Sequence, residues 1–163
     1  MVRYFTADLH LGHRNIIDYC GRPFRDAGHM DDALVERWNS TVAANDEVIV
    51  LGDFAMGHID ETLPIAGVLN GRKVLLAGNH DRCWHGHKKG VDAATDRYLD
   101  AGFDEIWQGS VALDVGGVHV VACHFRTAVT ATTTTGSSRT VPSTRAPGSF
   151  TVTSTSVGRY GNG

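Results

Sequence analysis

Residues 73–81 read KVLLAGNHD, a short apolar run that stops at a glycine followed by three polar residues. A second run, EVIVLGD at residues 47–53, stops in a similar way. Short apolar runs bounded by turn residues are typical of buried strands, and parallel strands covered on both faces are apolar throughout. The two runs therefore predict strands inside a parallel sheet.

The segments around these runs alternate between strand and helix patterns. Leu34, Trp38 and Val42 recur at helical spacing, and Asp31 and Asp32 are favourably placed near the start of that helix. The other predicted elements are a strand at residues 3–7, a helix capped by Asp60 and ended by Gly71, a helix at residues 92–101, and a hairpin of Ser110–Val115 with Val118–Cys123. This alternation predicts an α/β fold with at least part of the sheet parallel.

The overall composition is that of a globular chain of one domain. Its 163 residues are 42% hydrophobic and 20% charged, and the net charge of −3 argues against a nucleic-acid-binding surface. No apolar run approaches the roughly 20 residues of a membrane helix, and the N-terminus has no signal layout, so a cytoplasmic location is expected. Cys20, Cys83 and Cys123 are expected to be reduced structural thiols.

The composition changes abruptly at Phe125. All acidic residues lie at or before Asp114, and residues 126–163 contain eleven Thr, four Arg and no Leu or Lys. A segment so poor in large apolar residues buries too little surface to offset the entropy of ordering it. Residues 1–125 are therefore predicted to be the folded domain, and residues 126–163 a disordered tail rich in Thr, Ser and Gly.

Polar residues directly follow four of the predicted strands. They are Asp8 and His10, then Asp53, then Asn79, His80 and Asp81, and finally His124. Because the carboxyl ends of parallel strands share one edge of a sheet, these side chains are expected to converge. Carboxylates, imidazoles and an amide oxygen are ligands of divalent cations, and an extended segment would turn Asp8 and His10 to the same side. Two cations about 4 Å apart sharing a carboxylate are suited to phosphoryl chemistry.

The order of these blocks resembles that of the calcineurin-like metallophosphoesterase superfamily. The segments that carry the resemblance are Asp8-x-His10, Gly52-Asp53, Gly78-Asn79-His80-Asp81 and the later His124. The stretch TADLHLGHRNII at residues 6–17 is similar to small phage and bacterial members. The resemblance covers residues 1–125 and implies a β-sandwich flanked by helices (αββα), with its C-terminal part missing or non-native here.

The resemblance also implies a role for each residue of the site. The implied ligands are Asp8 and His10 at one metal, Asn79 and His124 at the other, and Asp53 as the bridging carboxylate. His80 would contact the phosphate and protonate the leaving oxygen, and Asp81 would orient the His80 ring. His13 is a candidate substrate-binding residue. The cofactors would be two divalent ions, and these ligands suit Mn, Fe, Zn and Mg.

Each block taken alone has a simpler interpretation. Gly52-Asp53 is a typical turn, and His124 alone is an ordinary histidine at a strand end. Only the joint order of the blocks favours a metal site. The sequence Cys83-x-His85-x-His87 lacks the spacing of a structural zinc site and is predicted to be a loop beside the pocket.

No histidine follows His124, whereas the superfamily has a later Gly-His-x-His block that supplies one histidine to each metal. One hypothesis is that residues 126–163 are the out-of-frame translation of a normal C-terminus, because codons for Thr151 to Thr155 exist that read His-Gly-His-Val-His in the neighbouring frame. The alternative is a natural low-complexity tail. In both cases each metal lacks one imidazole, so weak metal affinity and low turnover are expected.

These observations together predict a metal-dependent phosphoesterase that hydrolyses phosphomonoesters or phosphodiesters. Its expected partner is a small phosphate-ester substrate; no membrane partner is expected, and nucleic acid is expected only as a phosphodiester substrate. The alternative function is a non-catalytic remnant or a metal- and phosphate-binding module. The substrate is set by loops and caps that the sequence pattern does not identify.

Overall fold

The computed structural model describes residues 1–125 and the strand at residues 158–160. The remainder of the predicted tail, residues 126–157 and 161–163, lies outside the described residues. The predicted boundary at residue 125, the disorder of the tail and the out-of-frame hypothesis therefore stay predictions.

The strands of the described residues form one mixed sheet and one separate hairpin. They are β1 (Arg3–Thr6), β2 (Glu47–Val50), β3 (Arg72–Leu76), β4 (Glu105–Trp107), β5 (Ser110–Val115), β6 (Val118–Cys123) and β7 (Gly158–Tyr160). The main sheet has the order β4-β3-β2-β1-β7, in which β1 to β4 are parallel and β7 is antiparallel to β1. β5 and β6 pair antiparallel as the predicted hairpin. The α/β class with a partly parallel sheet is thus confirmed, and the two-layered sandwich stays a prediction.

The predicted helix at residues 92–101 is confirmed at residues 91–100, whereas the other helices begin at residues that the sequence pattern did not identify. The helices are α1 (Arg14–Cys20), α2 (Ala27–Thr41), α3 (Ile59–Thr62) and α4 (Val91–Asp100), with a 3₁₀ helix at Leu63–Val68. Asp26 caps α2, because its carboxylate accepts the His29 N–H at 2.8 Å. Asp31 and Asp32 therefore lie beyond the first turn rather than at the helix start. Asp60 is likewise not a cap but a residue in the first turn of α3.

The core lies on both sides of the central strands. The side chains of β2 are buried along its whole length, as the apolar run predicts. Trp38 of α2 is 2% exposed and donates its indole N–H to the Asn70 carbonyl at 2.9 Å. Phe103 packs edge-on against Phe54, with 4.9 Å between ring centroids. None of the helices in the described residues is both long and apolar enough to cross a membrane.

Ion pairs link the amino ends of the four parallel strands. Glu47 pairs with Arg3 and, at 2.6 Å, with Arg72, which also pairs with Glu105. These residues are the first of β2, β1, β3 and β4, so the charges alternate in sign across the sheet. Partly exposed pairs of this kind contribute about 0–1 kcal/mol each. The carboxyl ends of the strands, at the opposite edge, carry the polar clusters.

We expect Asp26→Ala to destabilise the protein by about 1 kcal/mol, because the His29 N–H loses its acceptor at the start of α2. The matched control is Asp32→Ala, an exposed carboxylate in the same helix, with an expected change within about 0.5 kcal/mol. Urea unfolding measures both values. Equal effects of the two substitutions would contradict the assignment of Asp26 as the cap.

Candidate metal centre

Two turns that follow β1 and β2 run side by side at the carboxyl edge of the sheet. The Asp8 N–H donates to the Gly52 carbonyl, and the His10 N–H donates to the Asp53 carbonyl, both at 3.0 Å. Asp8, His10 and Asp53 have φ angles of 53°, 54° and 54°, and no other non-glycine residue of the described part has a positive φ. The predicted extended geometry of Asp8 and His10 is therefore wrong.

This left-handed backbone is a costly arrangement for residues with a Cβ. Each such residue is disfavoured by about 1–2 kcal/mol relative to the right-handed form. Strain of this kind persists where surrounding contacts over-determine the backbone, and it concentrates at functional sites. The three strained residues are also the group whose ligand atoms all lie within 4.8 Å of one another, close enough to share one metal ion.

The first half of the site is formed by Asp8, His10 and Asp53. The His10 Nε2 atom lies 3.6 Å from Asp8 Oδ1 and 3.9 Å from Asp53 Oδ2. The other ring nitrogen, Nδ1, faces the Met56 sulfur at 2.9 Å. The ring is thus oriented so that Nε2 points to the two carboxylates, as a metal-binding imidazole requires.

The second half is formed by Asp53, Asn79 and His124. The His124 Nε2 atom lies 3.5 Å from Asp53 Oδ2 and 3.1 Å from Asn79 Oδ1. Its Nδ1 lies 2.9 Å from the Leu51 carbonyl, which requires an N–H at that position. The same oxygen of Asp53 therefore faces an imidazole on each side. The convergence expected from the strand ends is present for all five of these residues.

Two glycines make this convergence sterically feasible. A Cβ on Gly52 would lie 2.2 Å from His124 Nδ1, and a Cβ on Gly78 would lie 2.4 Å from Asp53 Oδ1 and 2.9 Å from His124 Cε1. Real Cβ atoms do not approach other atoms so closely. Gly52 and Gly78 are thus needed because a Cβ at either position would collide with the site. Gly52 is needed also for its backbone conformation, since its φ is 87°.

Asp81 is fully buried, and its contacts differ from those the resemblance implies. Its carboxylate accepts the N–H groups of Asp53 and Gly78 at 2.8 Å and that of Phe54 at 3.0 Å. Burial raises the pKa of Asp81, while these three N–H donors oppose the rise. No hydrogen bond between the Asp81 carboxylate and the His80 ring occurs in the described residues. Asp81 holds the turns after β2 and β3 together rather than orienting His80.

The two remaining predicted residues lie at the rim of the site. The exposed His80 donates its backbone N–H to Asp53 Oδ1 at 3.0 Å, and its ring centroid is 6.0 Å from that of His10. The His13 ring centroid is 5.6 Å from that of His10. Burial, together with the nearby His10 and His80 rings, lowers the pKa of His13, whose Nδ1 is buried without a hydrogen-bond partner. The His13 and His80 rings therefore both lie within about 6 Å of the His10 ring.

The charge balance of the site favours a cation. Asp53 is 4% exposed, and in residues 1–125 neither its carboxylate nor that of Asp8 forms an ion pair with Lys or Arg. A buried carboxylate without a cationic partner is unfavourable. The donor set of carboxylate, imidazole and amide oxygens, which suits borderline divalent ions, fits metal ions as the missing counter-charge.

Sequence patterns did not identify several contacts that shape the site. Arg22 donates to the Asp8 carbonyl, Met56 orients His10, and the Leu51 carbonyl orients His124. None of these contacts belongs to a recognisable motif. Cys83 is buried, and burial raises the pKa of its thiol. The only three-residue His/Cys/Asp/Glu group able to share a metal within residues 1–125 is that of Asp8, His10 and Asp53, so Cys83 and its neighbouring histidines form no such group.

Comparison with known proteins identifies similar chains of Methanocaldococcus jannaschii and of mycobacteriophages. No protein-family model matches the chain. It is 37% identical over 81 residues to the uncharacterized protein MJ1445 of Methanocaldococcus jannaschii, covering 48% of this chain and 46% of that protein. It is 40% identical over 82 residues to the gene 66 protein of Mycobacterium phage D29, covering 48% and 40% respectively. The chain thus spans less than half the length of these relatives.

A solved structure supports the fold. The crystal structure of AQ665 from Aquifex aeolicus, a protein of unknown function, overlaps with a TM-score of 0.56 at 28% identity. The match covers 74% of this chain and 58% of that chain. The structural match therefore covers more of this chain than the 48% that the sequence relatives share with it.

We expect Gly78→Ala to destabilise the protein by about 1–3 kcal/mol, because the added Cβ would displace Asp53 and His124. Gly28→Ala is the matched control, since neither glycine has a positive φ and a Cβ at position 28 comes no closer than 3.5 Å to Asp26. In a helix this control should stabilise by about 0.5–1 kcal/mol. Urea unfolding distinguishes the two, and a neutral Gly78→Ala would contradict the close approach.

We expect Asp81→Asn to cost about 1–3 kcal/mol, because one acceptor oxygen becomes an amide NH2 donor that faces backbone N–H groups in the core. The control is Asp100→Asn, an exposed carboxylate at the end of α4, which should change stability by less than about 0.5 kcal/mol. Thermal unfolding of both variants is the measurement. A stable Asp81→Asn protein would show that the carboxylate does not hold the two turns.

Proposed function

We propose that residues 1–125 carry a dinuclear metal centre that hydrolyses phosphomonoesters or phosphodiesters. The observation that carries the proposal is the position of Asp53 Oδ2, 3.9 Å from His10 Nε2 and 3.5 Å from His124 Nε2. A carboxylate that faces an imidazole on each side has the arrangement of a bridging ligand. Asp8 and Asn79 add one oxygen donor to each half.

The ligand assignment follows the two halves of the site. Asp8, His10 and Asp53 would hold one ion, and Asp53, Asn79 and His124 the other. Manganese, iron, zinc and magnesium all accept such donors. Two divalent ions bound there would supply charge to the phosphate oxygens and lower the pKa of a water molecule.

The residues of the chain itself would position and protonate the substrate. His80 is exposed, and its main chain is fixed by the N–H donated to Asp53 Oδ1. Its ring centroid lies 6.0 Å from that of His10, and from there the ring would contact the phosphate and give a proton to the leaving oxygen. His13, with a buried Nδ1 that has no partner, is proposed as a second substrate contact.

A second candidate function is binding of metal and phosphate without turnover. It is favoured by the described site, in which each proposed ion would have one imidazole ligand, that of His10 or of His124. A metal ion with one imidazole ligand is bound more weakly, and in a less defined geometry, than an ion with several. The two candidates share the metal centre and differ only in whether hydrolysis follows.

We expect the protein to bind Mn²⁺ and to hydrolyse p-nitrophenyl phosphate or its bis-ester at a low rate. Asp53→Asn should reduce Mn²⁺ affinity by more than about 100-fold and abolish hydrolysis, because it removes the charge shared by both halves. Isothermal titration with Mn²⁺ and release of p-nitrophenol are the measurements.

The matched control is Asp18→Asn, an exposed carboxylate on α1 that pairs with Arg14 and lies outside the site. This variant should keep both binding and hydrolysis. Mn²⁺ binding without hydrolysis in the unmodified protein would favour the binding module. Hydrolysis that persists in Asp53→Asn would contradict the proposed centre.

A further inference from the structure

Arg22, in the segment between α1 and α2, holds the backbone that presents the first two metal-ligand candidates. One terminal nitrogen of its guanidinium donates to the Leu9 carbonyl at 2.9 Å, and the other donates to the Asp8 carbonyl at 2.8 Å. The two acceptors are consecutive carbonyls of the turn that follows β1. A planar guanidinium with two parallel donors matches such a pair, whereas a lysine ammonium is a single point charge.

The turn held in this way is strained. Asp8 and His10, on either side of Leu9, both have left-handed backbone angles. Such a conformation persists only where neighbouring groups over-determine it. The Asp8 and His10 N–H groups donate to carbonyls of the turn after β2, and Arg22 donates to the Asp8 and Leu9 carbonyls of the same segment.

Arg22 is itself firmly placed. Its backbone N–H donates to the Ile17 carbonyl at 2.9 Å, directly after Gly21, which ends α1 with a φ of 58°. Its guanidinium also contacts the sulfur of the fully buried Met30 at 3.3 Å. The Nε atom is buried without a hydrogen-bond partner. All hydrogen bonds of the guanidinium are therefore made by its two terminal nitrogens.

We propose that Arg22 is a positioning residue of the metal centre, which keeps Asp8 and His10 in ligating geometry by clamping the Asp8 and Leu9 carbonyls. The inference rests on the proposed function. It assigns to Arg22 no contact with substrate or metal. Its effect on the site passes entirely through the backbone of the turn.

The test measures Mn²⁺ affinity and thermal stability separately in four proteins: the unmodified chain, Arg22→Lys, Arg22→Met and Arg25→Met. Arg25 is the control because it is exposed in the same segment and its guanidinium bonds to no described residue. The Arg22 variants should bind Mn²⁺ about 10- to 100-fold more weakly, with Lys less affected than Met. The rise in unfolding temperature on adding Mn²⁺ should shrink in parallel.

A merely structural role predicts a different result. The unfolding temperature without metal would fall, while the Mn²⁺ affinity of the folded protein and its stabilisation by Mn²⁺ would remain unchanged. That result would overturn the inference and leave the metal centre intact. Failure of both Arg22 variants to fold at saturating Mn²⁺ would also overturn it, whereas absence of Mn²⁺ binding by the unmodified chain would overturn the proposed function as well.

Discussion

One buried carboxylate, that of Asp81, ties the two turns on which the site depends. It accepts N–H groups from the turn after β2 and from the turn after β3, and it is fully buried. Asp53 and Asn79, the ligand candidates of these turns, are thereby held at a fixed separation. Interactions that a charged acceptor makes in the core are stronger than neutral hydrogen bonds. The cost of burying the charge is offset by three backbone donors that would otherwise lack partners.

The convergence of the site could be predicted because each contributing block is local in sequence. An apolar run followed by glycine and polar residues, as in residues 73–81, identifies both the strand and the polar residues that follow its carboxyl end. The parallel arrangement then brings such ends together. The class of the fold and the common edge of Asp53 and Asn79 follow from this rule, whereas His124 follows an antiparallel hairpin outside the parallel sheet, so the rule does not account for its position.

The remainder depended on contacts between distant parts of the chain. Helix α2 begins at Ala27 with Asp26 as its cap, so Asp31 and Asp32 do not lie in its first turn as the sequence pattern predicted. β4 is only three residues long, too short for a periodic pattern. The left-handed backbone at Asp8 and His10 is held by hydrogen bonds to the neighbouring turn and from Arg22, contacts between distant parts of the chain that the sequence pattern does not contain.

The five ligand candidates come from two separate sheets. Four of them follow strands of the parallel sheet, whereas His124 follows the β5–β6 hairpin. This hairpin shares no strand pairing with that sheet in the described residues. A displacement of the hairpin would therefore withdraw a donor from one half of the centre and leave Asp8, His10 and Asp53 in place. The two halves of the centre therefore differ in construction: one takes all its ligand candidates from the parallel sheet, and the other needs both the sheet and the hairpin.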